Sequence, residues 1–184
     1  MIRTLVLAGV AAFGLAAAAN AQPMPSQPMA MNGHGTMGDQ ATQDFITKAA
    51  QSDEFERREG RLAEMRAHSS QVKHFAAKMV SAHTKTTMAL KHAIRMAGMT
   101  PPPPPPLSDE QMQMMATLKA THGRDFDKTY MDQQAQAHQM ALDTVQGYAQ
   151  NGHPGPIRDA AAKTVPIVQS HIDMIKDIQG HMAG

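Results

Sequence analysis

Four ionisable side chains, Glu56, His83, His138 and His171, each fall on the apolar stripe of a different amphipathic segment of this chain of 184 residues. Three neutral imidazole nitrogens and one carboxylate oxygen form a donor set that suits Zn, Mn, Fe or Cu(II). Each of the four also lies near the middle of its segment, so a rise of about 1.5 Å per residue puts them at a common depth once the segments pack together. The bland alternative rests on the same residues. Chance alone turns about a third of helical positions inward, and a Glu-His hydrogen-bond network would satisfy buried polar groups as well as a metal ion would.

Other chemistries find little support. There is no cysteine, which excludes thiolate metal sites, disulfides and a Cys nucleophile. Ser81 and Ser170 stand near stripe histidines, but adjacent helical residues point in different directions. No Gly-rich phosphate loop follows a strand pattern, and no two carboxylates mark a cleft. Basic and acidic residues number 17 and 16. With no basic stripe and no interleaved aromatics, a nucleic-acid binder is not expected.

The segments that must position the four residues all repeat every three or four residues. The clearest stripe is Val72, Ala76, Met79, His83, Thr86, Leu90 and Ile94, one face of an α-helix that has to be buried. The first long helix is expected over about 43–67 with Thr42 as its cap. Its stripe is Ile46, Ala49, Asp53, Glu56, Gly60, Ala63 and Ala67, with Glu54, Arg57, Arg58, Glu59, Arg61 and Glu64 on a mostly solvated face. Gly60 weakens a helix interior, which close approach of a neighbouring helix would offset. The second helix is expected over 70–98, capped by Ser69 or Ser70.

Pro101 to Pro106 reads as a rigid polyproline II strut. It is followed by a short helix over 108–122 that a Ser108/Gln111 capping box opens. Two further long helices are expected over 124–150, with the stripe Met131, Gln134, His138, Ala141, Val145 and Ala149, and over 156–179, with Ile157, Ala161, Thr164, Val168, His171, Ile175 and Ile178. Pro166 should kink or briefly break the last one. The fold class is therefore all-α: an antiparallel four-helix bundle over 42–180, with a long proline-rich crossover and one extra short helix. Methionine is abundant at 17 residues and aromatics are few. The core is accordingly expected to consist mainly of Met, Ala, Leu, Ile and Val.

Residues 1–21 read as a cleaved secretory signal peptide. It has a basic start at Arg3, an apolar run from Leu5 to Ala19 that is too short to span a bilayer, and a small-x-small site at Ala19-Asn20-Ala21. No later segment spans a membrane, and the missing cysteine excludes a lipoprotein anchor. The expected location is the periplasm. Residues 22–41 are rich in Pro, Gly and Met and read as a disordered linker. Their Met24, Met29, Met31, His34 and Met37 are a possible soft site for Cu(I), although a linker with incidental methionines is the preferred reading.

The strings FITKAAQSDEFERREGRLA (45–63), VKHFAAKMVSAHTK (72–85), FDKTYMDQQAQAH (126–138) and AAAKTVPIVQSH (160–171) together resemble the domain-of-unknown-function family 4142, secreted bacterial proteins with a ferritin-like four-helix fold. The resemblance covers most of 43–178. It implies a ferritin-like bundle whose recurrent polar positions map onto Glu56, His83, His138 and His171, and it implies no activity. The family often has an acid just before the second-helix histidine, where this chain has Ala82. If that acid orients the imidazole, the site here lacks its support. Ferritin chemistry itself is not expected. Di-iron bundles use Glu-x-x-His, and the residues three before His83, His138 and His171 are Val80, Ala135 and Val168.

These observations lead to the expectation of a non-enzymatic periplasmic bundle that holds one transition metal ion through Glu56, His83, His138 and His171, for storage, buffering or envelope-stress protection. A structural or partner-binding bundle, in which the cluster is only a hydrogen-bond network, is the alternative. A mononuclear-metal oxidase-like enzyme is a weaker one.

Overall fold

The computed structural model describes residues 39–182. The leader and the methionines at 24, 29, 31 and 37 lie outside the described residues, as does His34. Five helices follow in order: α1 (Gln40–Arg66), α2 (Ser70–Met96), α3 (Asp109–Ala120), α4 (Gly123–Asn151) and α5 (Pro156–Met182). Among the described residues no strand occurs, and no helix is long and apolar enough to cross a membrane.

α1 and α2 form one hairpin and α4 and α5 another, and the hairpins join through α1 against α4 and α2 against α5. The chain therefore makes a four-helix bundle in which the N-terminal turns of α1 meet the C-terminal end of α4. There Phe45 stacks on Tyr148 with ring centroids 4.1 Å apart, and Thr42 Oγ1 and Tyr148 Oη share a 2.8 Å hydrogen bond. The crossover and α3 cover the α1–α4 seam, where Phe55, Leu107 and Ala137 form a small apolar cluster. Hydrogen bonds from α1 and α4 fasten this cover: Gln51 Nε2 donates to Pro106 O, Arg66 donates to Lys119 O and Thr121 O, Gln133 Nε2 donates to Met114 O, and Gln136 Nε2 donates to Glu110 Oε1.

Local chemistry sets the ends. Ser108 and Gln111 form the expected capping box, and Ser69 caps α2. The chain leaves α2 through Gly98 at φ 75°, a left-handed position that glycine takes without strain. α1 begins earlier than expected: Asp39, not Thr42, is its cap and accepts from Thr42 N. Residues 40 and 41, read as the end of the linker, are thus its first turn, and the Thr42 side chain is spent on Tyr148. The α1–α2 turn is capped from across the bundle, where Asp127 accepts from His68 N and Ser69 N at 2.8 and 2.7 Å.

Three further expectations need correction. α5 runs through Pro166 without a break. Pro166 and Ala162 are both exposed, so the carbonyl that proline leaves without its helical donor faces solvent. Glu59 is not on the solvated face but fully buried. The core is mainly Ala, Leu, Ile and Val, as expected, but methionine has a smaller share than its abundance suggested: Met79 and Met131 are the buried methionines among the described residues, whereas Phe45, Phe55, Phe75, Phe126, Tyr130 and Tyr148 are all buried. Large rings bury the most apolar area per residue and so claim the interior first.

Gly60 meets its expectation. A Cβ placed there would lie 2.7 Å from Val80 Cγ2 and 3.2 Å from Ala76 O on α2, too close for either atom to stay put. Gly60→Ala should therefore destabilise the fold by about 1–3 kcal/mol through overpacking, despite its gain in helix propensity. Gly60→Ala combined with Val80→Ala should recover part of the loss relative to Val80→Ala alone, as read from urea unfolding of the four proteins.

Candidate metal centre

α2, α4 and α5 each direct one histidine to the bundle interior, and three of the four expected site residues meet there. One ligand nitrogen from each of His83, His138 and His171 lies within 4.8 Å of the other two. The ring centroids form a nearly equilateral triangle with sides of 5.4, 5.6 and 5.3 Å, and all three residues are buried. An ion held about 2.1 Å from three imidazole nitrogens in tetrahedral directions would place those nitrogens about 3.4 Å and the ring centroids about 5.3 Å apart. His138 Nε2 lies 3.3 Å from His171 Nδ1.

The surrounding hydrogen bonds fix which nitrogens face inward. His83 Nδ1 donates to Asp53 Oδ1 at 2.9 Å, and the same carboxylate accepts from Thr86 Oγ1 and Thr87 Oγ1, each at 2.8 Å. The proton therefore sits on Nδ1, and His83 Nε2 keeps its lone pair, buried and without a hydrogen-bond partner. His138 Nδ1 donates to Gln134 O at 2.9 Å, one helical turn back, so its Nε2 is also an acceptor. The 3.3 Å contact then has His171 Nδ1–H donating to His138 Nε2.

Glu56 lies on the other side of His138. Its Oε1 is 3.4 Å from His138 Nδ1, and its Oε2 accepts from Gln134 Nε2 at 2.7 Å. The same amide nitrogen donates to Glu59 Oε2 at 3.0 Å. Glu56 is thus not part of the three-nitrogen group but stands behind it. Asp53, Gln134 and Glu59 complete the centre. Asp53 and Gln134 were visible on the inward stripes but not marked as site residues. Glu59 was hidden among the charges of α1, although its spacing of three from Glu56 could have placed it. Asp53 also answers the doubt raised by Ala82, since the acid that orients His83 comes from α1.

Burial and neighbouring charge divide the titration of these groups. His138 is pushed down to about 3 by burial and by His83, and His171 likewise to about 3 by burial, His138 and His83. For His83, burial alone would lower the imidazole, but the Asp53 hydrogen bond and the Glu56 and Asp53 charges outweigh it and leave the ring above its ordinary value. Burial raises Glu56 to about 7 and, with the Glu56 charge, lifts Glu59 well above the carboxylate range. Protonated carboxyls carry their own O–H donors, which suits a pocket where Glu56 Oε1, Glu59 Oε1, Gln134 Oε1 and Tyr130 Oη have no other partner.

The signs of these shifts oppose one another. Below pH 6.5 the unfolded chain binds protons that folded His138 and His171 refuse, so their contribution to stability falls with pH. Above pH 4.5 the folded chain binds protons at Glu56, from about pH 7, and at Glu59 that the unfolded chain does not, and together they offset that fall. Metal-free protein should therefore lose stability mainly below pH 4.5, and Glu56→Gln should begin its loss at higher pH. Imidazole NMR should show His83 protonating first and His138 still neutral at pH 4.

A likeness to known proteins covers nearly all of this arrangement. The sequence profile of the domain of unknown function DUF4142 matches residues 26–178. A crystal structure of a candidate secreted protein, DUF305, from Streptomyces coelicolor superposes with a TM-score of 0.65 at 13% identity, over 78% of this chain and 94% of that one. At that identity the likeness shows a shared fold alone. No curated protein is significantly similar to the chain. With the profile spanning all four long helices and the three histidines they carry, the chain belongs to the DUF4142 family.

Proposed function

We propose that this chain is a non-enzymatic periplasmic bundle that holds one divalent first-row transition ion between His83, His138 and His171, serving to store or buffer the metal or to protect the envelope. The observation that carries this reading is the triangle itself: three buried imidazoles at the spacing an ion requires, one of them with a buried lone pair that no protein group uses. A purely structural network has no reason to leave His83 Nε2 unpaired, since such a group costs about 1–3 kcal/mol.

Asp53 is the supporting carboxylate that metal-bound histidines commonly have, and it fixes both the tautomer and the aim of the ring. Gln134 O does the same for His138. Glu56 and Glu59 lie behind His138 and are better placed to hold that helix turn than to reach the ion. With no thiolate available, the three nitrogens suit Zn(II), Cu(II), Fe(II) or Mn(II), and a near-tetrahedral triangle favours Zn(II).

A mononuclear enzyme would need a general acid or base facing the ion. Asp53 is occupied by three donors, and Glu56 approaches the nitrogen of His138 that points away from His171. Neither is free for that role, which favours holding over turnover. The leader expected over 1–21 supports a location outside the cytoplasm.

Equilibrium dialysis of mature protein purified without a tag should give one zinc per chain, with the ion lost in His83→Ala, His138→Ala and His171→Ala. Zinc at 100 times its Kd should add about 2.7 kcal/mol to folding stability, and a chelator should remove it. Asp53→Asn should weaken binding by about 10- to 100-fold while the fold persists, as read from competition with a chromogenic chelator. Wild type that folds and takes up no metal would refute the reading.

A further inference from the structure

Three histidines leave a tetrahedral ion one position that this chain does not fill. The buried carboxylates around it are engaged elsewhere: Asp53 is bound to the outer nitrogen of His83 and to two threonines, and Glu56 and Glu59 are joined to Gln134 behind His138. What does adjoin the triangle is a cavity of about 500 Å³, with His83 and His171 in its walls. Its size falls within the usual range for small-molecule sites.

Most of the remaining wall surface is apolar, although Asp53, Glu110, Asp143 and Lys48 also line it. Phe45, Phe55, Leu90, Val145 and Val168 line it from α1, α2, α4 and α5, and Met114 of α3 contributes from the cover. Exposed lining residues such as Lys48, Met140 and Ile167 connect it to solvent. Such a space suits a molecule with one polar head and an apolar body.

Charge selects the head. Three neutral imidazoles leave a divalent ion's charge uncancelled by its own ligands in a buried site, with Asp53 bonded to the outer nitrogen of His83. An anionic oxygen donor is therefore favoured at the remaining position over a neutral one. We propose that the cavity beside His83 and His171 binds an organic monocarboxylate, its carboxylate on the ion and its hydrocarbon body against the apolar wall. This rests on the metal reading above and specifies what that centre would recognise. The binding is a reversible ligand exchange, with no bond made or broken beyond the coordination of the carboxylate in place of solvent.

Cobalt(II) loaded into the mature protein provides a spectroscopic reading through its visible bands, and octanoate and acetate are the probes. They share a head and differ by six CH2 groups, each worth a factor of about four when buried. Octanoate should shift the cobalt bands saturably and bind at least about 100-fold more tightly than acetate. By calorimetry, metal-free protein should bind octanoate at least tenfold more weakly than loaded protein. Ala141→Phe, which fills the cavity from α4, should keep cobalt and lose the octanoate preference, and Thr144→Leu on the same wall serves if that variant fails to fold.

Cobalt bound normally with octanoate no tighter than acetate would overturn this inference alone. So would octanoate binding equally well without metal. Failure of the wild type to bind cobalt at all would overturn both this inference and the metal reading beneath it.

Discussion

The hydrogen bond from His83 Nδ1 to Asp53 is the contact on which the rest of the centre depends. It joins α1 to α2 inside the core, decides which ring nitrogen keeps its lone pair, and aims that nitrogen at the other two imidazoles. Thr86 and Thr87 hold the carboxylate from α2, so the acid is positioned by the same helix whose histidine it orients. The arrangement requires α1 and α2 to lie close together, and Gly60 lets them, with no side chain between its backbone and Ala76 and Val80. A glycine that weakens one helix locally is therefore tied to the geometry of a site two turns away.

Much of this was legible because burial imposes a period. An inward stripe on each long segment located His83, His138 and His171, and the common depth that helix rise implies brought them together. Asp53 was legible as an inward residue but not as the partner of His83, because a stripe says which residues face the core and not which neighbour each one meets. Glu59 was misread for a related reason. Among Glu54, Arg57, Arg58 and Glu64 its charge looked like one more member of a solvated face, whereas its position one turn from Glu56 carried the truer signal. Thr42 was read as a cap because capping residues compete locally, and the competing partner, Tyr148, is 106 residues away. Pro166 was expected to kink or briefly break its helix, and the helix runs on through it, because at an exposed position the missing hydrogen bond is easily tolerated.

Two buried acids behind His138 give the centre an asymmetry that its three similar rings do not suggest. Glu56 and Glu59 share the amide of Gln134, whose carbonyl backbone in turn holds His138. One residue thereby fixes both the carboxyl pair and a ring of the triangle. His83, by contrast, is fixed from α1. Each of these two rings is thus aimed from its outer nitrogen, which turns the inner nitrogens toward the triangle and leaves that of His83 without a partner. A cavity with His83 and His171 in its walls lies beside the triangle, so the bundle combines oriented donors with open space. This differs from the tightly filled interior that close packing alone would produce.

The claim that the three imidazoles form one metal centre is tested most directly by anomalous diffraction from crystals grown with zinc. The account predicts one strong peak inside the bundle, about 2.1 Å from a nitrogen of each of His83, His138 and His171, with His83 still bonded to Asp53. An ordered triangle at the same positions without a peak, or zinc found only on surface residues, would contradict it.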